Sequence, residues 1–336
     1  TTCHSGKWHL SNEPLEYGFD INIAGGPNGA PGSYYPPYGN KNNQVIIEKG
    51  KSKYLTDLIM EKTLLFLDDV SGPFFLNYSP YAVHTPIHPV DSLMYKYEKK
   101  SPYKGQKNPK YATMVENLDR NIGLMVEKLK KRKLFDNTFI IFTSDNGGYY
   151  GKITMQKPLR AGKGSYYEGG IRVPFFFMWK NKISPGKNTQ TTISHLDIFP
   201  TLMHLTGDQS MENDLDGHSL LPLLTQNKFV EERSFFWHFP IYLEGYDIKD
   251  NENRDSLFRT RPGSVIRKGD WKLHYYFEDQ GIELYNLKHD IGERNNLAEI
   301  EVDKRQELAD ELKAWWKKTD APISTAINPL YAPRSN

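Results

Sequence analysis

Asp136-Asn137-Thr138-Phe139-Ile140-Ile141-Phe142-Thr143-Ser144-Asp145-Asn146-Gly147-Gly148 is the stretch that decides the fold class. Asp136-Asn137 is a turn signal, and the β-branched and aromatic run Thr138 to Thr143 reads as a buried strand with a polar, Gly-rich exit. Before it lies the clearest helix, Tyr111 to Lys133, with Met114, Val115, Leu118, Ile122, Met125, Val126 and Leu129 at three- and four-residue spacing. Its last turn carries Lys128, Lys130, Lys131, Arg132 and Lys133, which suit the negative end of the helix dipole and read as a solvated helix end. Helix, turn, buried strand and polar exit make half of a βαβ unit, which points to an α/β fold.

The same grammar extends outward. Tyr54 to Phe66 suits a helix packed on a core, and Phe74-Phe75-Leu76-Asn77-Tyr78, bounded by Gly72-Pro73 and Pro80, reads as a second buried strand with His84 just past its end. Phe175-Phe176-Phe177-Met178-Trp179 predicts a further parallel strand, and Ser194 to Leu202 leads into a short helix that tolerates Pro200 in its first turn. Gly25 to Asn43, rich in Gly, Pro, Asn and Tyr, is a long surface loop. Beyond Leu224 the character changes: Val265 to Leu273, Leu273 to Phe277 and Glu283 to Leu287 read as short strands before a helix from Asp303 to Lys318. The expected division is therefore a catalytic domain over residues 1–228 and a small antiparallel α+β subdomain over 229–336.

Composition sets the outer limits. The chain has 336 residues, 38% hydrophobic and 13% aromatic, enough for a large core and incompatible with a disordered or fibrous protein. With 43 Lys and Arg against 41 Asp and Glu, the net charge of +2 gives no argument for nucleic acid; attraction for an anion must come from local clustering. Cys3 is the single cysteine, which excludes an internal disulfide and a cysteine-rich metal site. No run reaches the roughly 18 apolar residues that span a bilayer. The first residues lack the charged and apolar regions of a signal peptide, so the expectation is that the natural N-terminus lies outside this chain.

In an open α/β sheet, ligands bind at the carboxyl ends of the strands. Asp145-Asn146 sits at such an end, and a carboxylate beside an amide carbonyl suits a hard divalent cation such as Ca²⁺ or Mg²⁺ better than zinc. Read alone, the tetrapeptide is also an ordinary Asp-Asn-Gly turn. Lys7 and His9 occupy alternate positions of Gly6-Lys7-Trp8-His9-Leu10 and would share one side of an extended segment. A lysine suits a tetrahedral oxyanion and a histidine suits proton transfer near neutral pH. His84-Thr85-Pro86 adds an imidazole past a strand end, and Gly162-Lys163-Gly164 sets a lysine between glycines, where backbone can approach a ligand closely.

Taken together and in order, these motifs resemble the sulfatase family of the alkaline phosphatase superfamily. The resemblance runs from Thr2-Cys3-His4-Ser5-Gly6-Lys7-Trp8-His9-Leu10 through His84-Thr85-Pro86, Ser144-Asp145-Asn146-Gly147 and Gly162-Lys163-Gly164. It continues through Glu168-Gly169-Gly170-Ile171-Arg172-Val173-Pro174, His195 to Thr201 and Gly217 to Leu224, and ends at Arg267 to Leu273 and Glu283 to Leu287. It implies an alkaline-phosphatase-like mixed, largely parallel sheet sandwiched by helices. It also implies that Asp145 and Asn146 are two ligands of a Ca²⁺, with Mg²⁺ as the alternative, that holds the sulfate. Lys7 and Lys163 would bind sulfate oxygens, His84, with Lys163, would protonate the leaving alkoxide, and His9 would act on the nucleophile.

The family uses a formylglycine made from Cys or Ser in a Cys/Ser-x-Pro/Ala-x-Arg motif, and this chain holds no such motif; Cys3 is followed by His4-Ser5-Gly6. The two N-terminal aspartates that complete the family's metal site are also missing. The expectation is that the formylglycine lies in an N-terminal segment of the same protein outside this chain. Glu168 and Arg172 are expected to fix the turn before a strand, His195 and Asp197 to hold a helix start, and His218 to lie in a loop. Phe236-Trp237-His238-Phe239-Pro240 resembles a segment of bacterial carbohydrate sulfatases, which makes His238 a substrate-binding candidate, with an aromatic core cluster as the other reading. Arg160, Tyr149 and Tyr150 are further candidates. The implied partner is a sulfated carbohydrate or other sulfate ester, as in polysaccharide degradation, and the implied location is periplasmic or secreted. Two other functions stay open: a phosphonate or phosphodiester hydrolase of the same superfamily, and a non-catalytic binder of sulfated glycans.

Overall fold

The computed structural model describes residues 1–10, 13–39, 53–151, 153–208, 215–228, 231–244, 252–254, 257–324 and 326–329. The chain folds as two compact units, Thr1–Thr138 and Phe139–Asn336. The domain boundary expected after residue 228 falls at residues 229–230, outside the described residues, and so does the end of the Gly25–Asn43 loop.

The first unit contains β1 (Thr2–Gly6), β2 (Ile21–Ile23), α1 (Leu55–Asp69), β3 (Phe75–Ser79), α2 (Asp91–Glu98) and α3 (Pro109–Lys131). Its three strands form one parallel sheet in the order β2-β1-β3, with Gly6 opposite Ser79 at the carboxyl ends. Helix α3 opens with Asn108 accepting from the Tyr111 amide at 3.2 Å and with Pro109 in its first turn, where the missing N–H costs nothing. α1 is tied to β1 by a 2.7 Å hydroxyl pair, Ser5 with Thr63. It is tied to α3 by Asp57, whose Oδ1 accepts from Asn117 and Asn121 at 2.8 and 2.7 Å. This polar bridge turns Met114, Asn117 and Asn121 inward, so Val115, expected on the apolar face, is 44% exposed. Tyr34, Tyr54, Leu55, Leu58, Ile59 and Met114 form the core.

The second unit contains β4 (Ile140–Thr143), α4 (Glu168–Ile171), β5 (Phe175–Met178), α5 (Ile198–Thr206), α6 (Leu221–Gln226) and β6 (Ser234–Phe239). It continues with β7 (Leu243–Glu244), β8 (Phe258–Thr260), β9 (Gly263–Lys268), β10 (Trp271–Tyr276), β11 (Ile282–Asn286) and α7 (Val302–Thr319). β5 pairs antiparallel with β4, against the expected parallel strand. The reason lies in the connection: a parallel return needs a full crossover, whereas here a loop and the single turn of α4 bring the chain back at the end where β4 finished. Among the described residues β4 is paired on one side only, and Phe142, read as part of a buried strand, is exposed.

The C-terminal sheet has the order β11-β10-β9-β6, antiparallel throughout, with α7 packed on β9 and β10. Ile266, Leu273, Leu284, Leu308 and Leu312 fill that interface, and Phe236 stacks on Trp315 at 4.9 Å. The strand expected over Val265 to Leu273 is split into β9 and β10 by Gly269-Asp270. Lys268 pairs with Trp271, and Gly269 takes the positive φ of 55° that a two-residue hairpin requires. The fold is α/β, a parallel sheet with helices followed by a C-terminal antiparallel sheet region. Among the described residues no helix is long and apolar enough to cross a membrane.

Candidate active site

In the first unit, three candidate residues leave the carboxyl ends of two adjacent parallel strands. β1 stops at Gly6, whose φ of 110° and contact with β3 admit no side chain: a Cβ there would lie 2.0 Å from the Ser79 oxygen. The next amide, Lys7 N–H, donates to that same oxygen at 2.6 Å. The segment is therefore not extended through Lys7 and His9, and alternation does not set their directions. His9 instead takes a left-handed φ of 62° and donates its amide to the Gly26 oxygen at 2.9 Å. Its ring lies against Gly29, where a Cβ would come within 2.5 Å of it. Trp8 between them packs with His4, Tyr17 and Phe19.

His84 follows β3 and is half-buried. Its amide donates to the Tyr81 oxygen at 2.9 Å, and the buried Tyr34 hydroxyl donates to both the Tyr81 and His84 carbonyls at 2.7 and 3.0 Å. Nδ1 lies 3.0 Å from the Thr85 carbonyl and 3.2 Å from Thr85 Oγ1, so the ring is held through its Nδ1 side.

In the second unit, Asp145 and Asn146 follow β4. Asp145 Oδ1 accepts from the Asn146 amide at 2.9 Å and from its Nδ2 at 3.2 Å, while Nδ2 also donates to the Gly147 oxygen at 3.2 Å. These bonds use one carboxylate oxygen and the amide nitrogen, which orients the pair, and Asp145 is exposed. His195 braces the strand exit from behind: its Nε2 is 2.8 Å from the Ser144 oxygen and 3.2 Å from Thr143 Oγ1. The Lys163 amide donates to the Gly148 oxygen at 3.0 Å, and the Gly147 amide to the Gly170 oxygen at 2.9 Å. A Cβ on Gly162 would lie 2.5 Å from the Gly148 oxygen, so the lysine loop lies backbone to backbone on the exit from the Asp-Asn pair. The structure thus lays the backbone of the Lys163 loop on Gly148, two residues past Asn146.

Arg160 and His238 face interior partners. Arg160 donates to the Glu252 and Glu293 carbonyls at 2.7 and 2.9 Å and stacks over Tyr167 at 3.8 Å. His238 on β6 joins a chain of donors. Trp316 Nε1 donates to Ser264 Oγ at 2.8 Å, Ser264 lies 2.7 Å from His238 Nδ1, and His238 Nε2 lies 3.0 Å from the Pro322 oxygen. Burial pulls its pKa below the ordinary histidine range, which fits a neutral ring donating from Nε2. Asp197 closes the short 3-10 turn His195–Asp197 that leads into α5: it accepts from the Ser194 amide at 2.8 Å and the His218 amide at 2.9 Å, and it pairs with Arg233. His218 lies in a loop.

The donor chemistry of Asp145 and Asn146 fits a hard cation, which takes six to eight oxygens, but two residues make only part of such a shell. Among the described residues no group of three or more His, Cys, Asp or Glu could hold a metal ion. Sequence reasoning passed over Gly29 and Gly147, whose contacts hold His9 and the Asp-Asn pair, and over the buried Lys272, His274 and Glu293. The available signal was a lysine and a histidine at alternate positions of one strand, Lys272 and His274, on a face that the fold must bury.

Residues 1–208 match the family model described as Sulfatase, and residues 162–321 match the one described as N-sulphoglucosamine sulphohydrolase, C-terminal. A protein named Sulfatase from Formosa agariphila is 35% identical over 314 residues, covering 85% of this chain and 54% of the relative. The chain spans about half the length of that relative and 60% of a sulfatase from Escherichia coli. The crystal structure of Ps i-CgsB in complex with k-i-k-neocarrahexaose superposes with a TM-score of 0.74 at 31% identity, covering 94% of this chain and 71% of the other. A structure in complex with its substrate D-glucosamine-2-N,6-O-disulfate shares the fold, with a TM-score of 0.72 at 20% identity over 95% of this chain and 80% of the other.

Proposed function

The chain belongs to the sulfatase family, and on that premise we propose a metal-assisted sulfuric ester hydrolase that removes sulfate from a carbohydrate, with a formylglycine supplied from outside this chain. The observation that supports the reading is the 3.0 Å bond from the Lys163 amide to the Gly148 oxygen, which ties the lysine loop to the strand exit that carries Asp145 and Asn146. Carbohydrate as the substrate class is supported by the oligosaccharide held in the 31% identical Ps i-CgsB structure.

Asp145 and Asn146 would hold a Ca²⁺, with Mg²⁺ as the alternative; when bound, the cation supplies positive charge to the sulfate oxygens. A formylglycine, when present, would supply the attacking oxygen. Lys7 and Lys163 bind and orient the sulfate, and their ammonium groups stabilise negative charge that grows as the S–O bond breaks. His84, entering the step as the doubly protonated imidazolium, gives its Nε2 proton to the leaving alkoxide and is left neutral, its ring held through Nδ1 by Thr85. His9, seated on Gly29, moves the proton of the nucleophile. Arg160 and His238 belong to the proposed substrate side through the segments they hold in place. The division at residue 228 and a periplasmic or secreted location are part of the same proposal.

The test is sulfate release by the complete protein and by its His84→Ala and Lys163→Ala variants. Each substitution is expected to lower turnover about 10²–10⁴-fold. Wild-type turnover in both would overturn the assignment, and tight glycan binding without any turnover would favour the binding protein.

A further inference from the structure

Outside the proposed catalytic groups, Glu168, Lys272, His274 and Glu293 meet in the interior of the second unit, all fully buried. Lys272 Nζ lies 3.0 Å from Glu168 Oε1 and 3.0 Å from Glu293 Oε1, and His274 Nε2 lies 3.1 Å from the latter oxygen. Glu293 Oε2 accepts from the Glu168 amide at 2.6 Å. Arg172 and Arg267 approach Glu168 Oε2 at 3.4 and 3.5 Å, which offsets the second carboxylate. Burial alone would raise the Glu293 carboxyl, but Lys272, His274 and the Glu168 amide outweigh it and hold it at about 2. Burial keeps His274 neutral.

A buried ion cluster gives little net stability over an apolar one of equal volume, so its use must be sought in the geometry it enforces. Lys272 and His274 stand on β10, Glu293 follows β11, and Glu168 opens α4. α4 is pressed onto the lysine loop without room for side chains: a Cβ on Gly169 would lie 2.3 Å from the Arg160 and Ala161 oxygens, and one on Gly170 2.2 Å from the Ser165 oxygen. Gly169 donates to the Arg160 oxygen at 2.9 Å, Gly170 accepts from Gly147 at 2.9 Å, and Gly148 accepts from Lys163 at 3.0 Å. A continuous path of short contacts therefore runs from Lys272 through Glu168 and α4 to the backbone carrying Asp145, Asn146 and Lys163.

Resting on the sulfatase reading, we propose that Lys272 and Glu293 are positioning residues through which the C-terminal sheet sets the place of the oxygen-donor pair and of the sulfate-binding lysine. The C-terminal region is then a working part of the site, although none of its clustered residues touches substrate. Breaking the cluster should loosen α4 first and the two backbone bonds at Gly147 and Lys163 with it.

The test is residue-resolved amide hydrogen exchange and sulfate-release kinetics on the complete protein and its Lys272→Met and Glu293→Gln variants. The Gly147 and Lys163 amides are expected to exchange about tenfold faster in Lys272→Met and severalfold faster in Glu293→Gln, with the β1 amides unchanged. kcat is expected to fall at least about tenfold in Lys272→Met, with a smaller change in KM. Should Lys272→Met not fold, the isosteric Glu293→Gln decides. Unchanged exchange at both amides in a folded variant, or a rise shared equally by β1, would overturn the proposal. Faster exchange at the two amides in a protein that releases no sulfate would leave the positioning intact and remove the sulfatase reading.

Discussion

An alanine at position 147 would set its methyl carbon 1.8 Å from the Gly169 oxygen, 2.8 Å from the Gly169 carbonyl carbon and 3.1 Å from Gly170 Cα. Ordinary contact begins near 3.4 Å, so strand exit and α4 must part by about 1.6 Å, the difference of the two distances. Both sides are backbone, and no side chain can swing away. The separation also breaks the 2.9 Å bond from the Gly147 amide to Gly170. Overpacking costs about 1–3 kcal/mol and an unpaired buried N–H another ~1–3, so Gly147→Ala should destabilise by roughly 2–6 kcal/mol. Asp145 and Asn146 move with that backbone, and a displacement on the order of 1 Å costs about 10²-fold in rate. Calorimetric unfolding, Ca²⁺ titration and sulfate release measure the three consequences. Gly123→Ala is the control: it lies on the exposed face of α3 with nothing within 4 Å of its Cβ, and it should stabilise by about 0.5–1 kcal/mol. A Gly147→Ala protein with wild-type melting and Ca²⁺ affinity would refute the reasoning.

Other outcomes follow from the same contacts. Glu293 is held at about 2 against an ordinary 4.5, so its stabilisation of about 3 kcal/mol is complete above pH 4.5 and is lost as pH falls toward 2. The unfolding midpoint measured across that range should drop, and Glu293→Gln should flatten the drop. His274, whose pKa burial lowers from 6.5, adds a loss that begins as pH falls below about 6.5, because the unfolded chain takes up the proton first. Gly29→Ala meets the exposed His9 ring, which can give way. Its stability should change by less than about 1 kcal/mol while kcat falls about tenfold, and an unchanged kcat would remove the role given to that contact. Asp197→Ala leaves Arg233 and the Ser194 and His218 amides without their buried partner. It should cost about 3–5 kcal/mol by chemical denaturation.

The sequence displayed those features whose cause is local. The apolar run at Phe139 to Phe142 followed by Asp145-Asn146 is a strand and its exit under any tertiary arrangement, and Gly162 and Gly164 announced close backbone approach around Lys163. The direction of β5 was not legible, because it depends on the path from residue 144 to 174, where no helical periodicity is available to read. The left-handed turn at His9 was hidden because a histidine gives no conformational signal there, and only its packing on Gly29 explains it. Lys272 and Glu293 were hidden for a different reason. A lysine in a strand reads as a solvent-facing residue until the carboxylate that neutralises it is brought in from α4 and from the loop after β11. Val115 shows the converse, an apolar residue turned outward because Asp57 holds two asparagines inward.

The most direct measurement of the central claim compares, on one preparation of the complete protein with Ca²⁺, the kcat/KM for sulfate release from a sulfated oligosaccharide with that for cleavage of an aryl phosphodiester. The proposed function predicts sulfate release as the faster reaction, lost on chelation and reduced at least about 10²-fold in Lys163→Ala. Preferential phosphodiester cleavage, or sulfate release indifferent to Lys163, would contradict it.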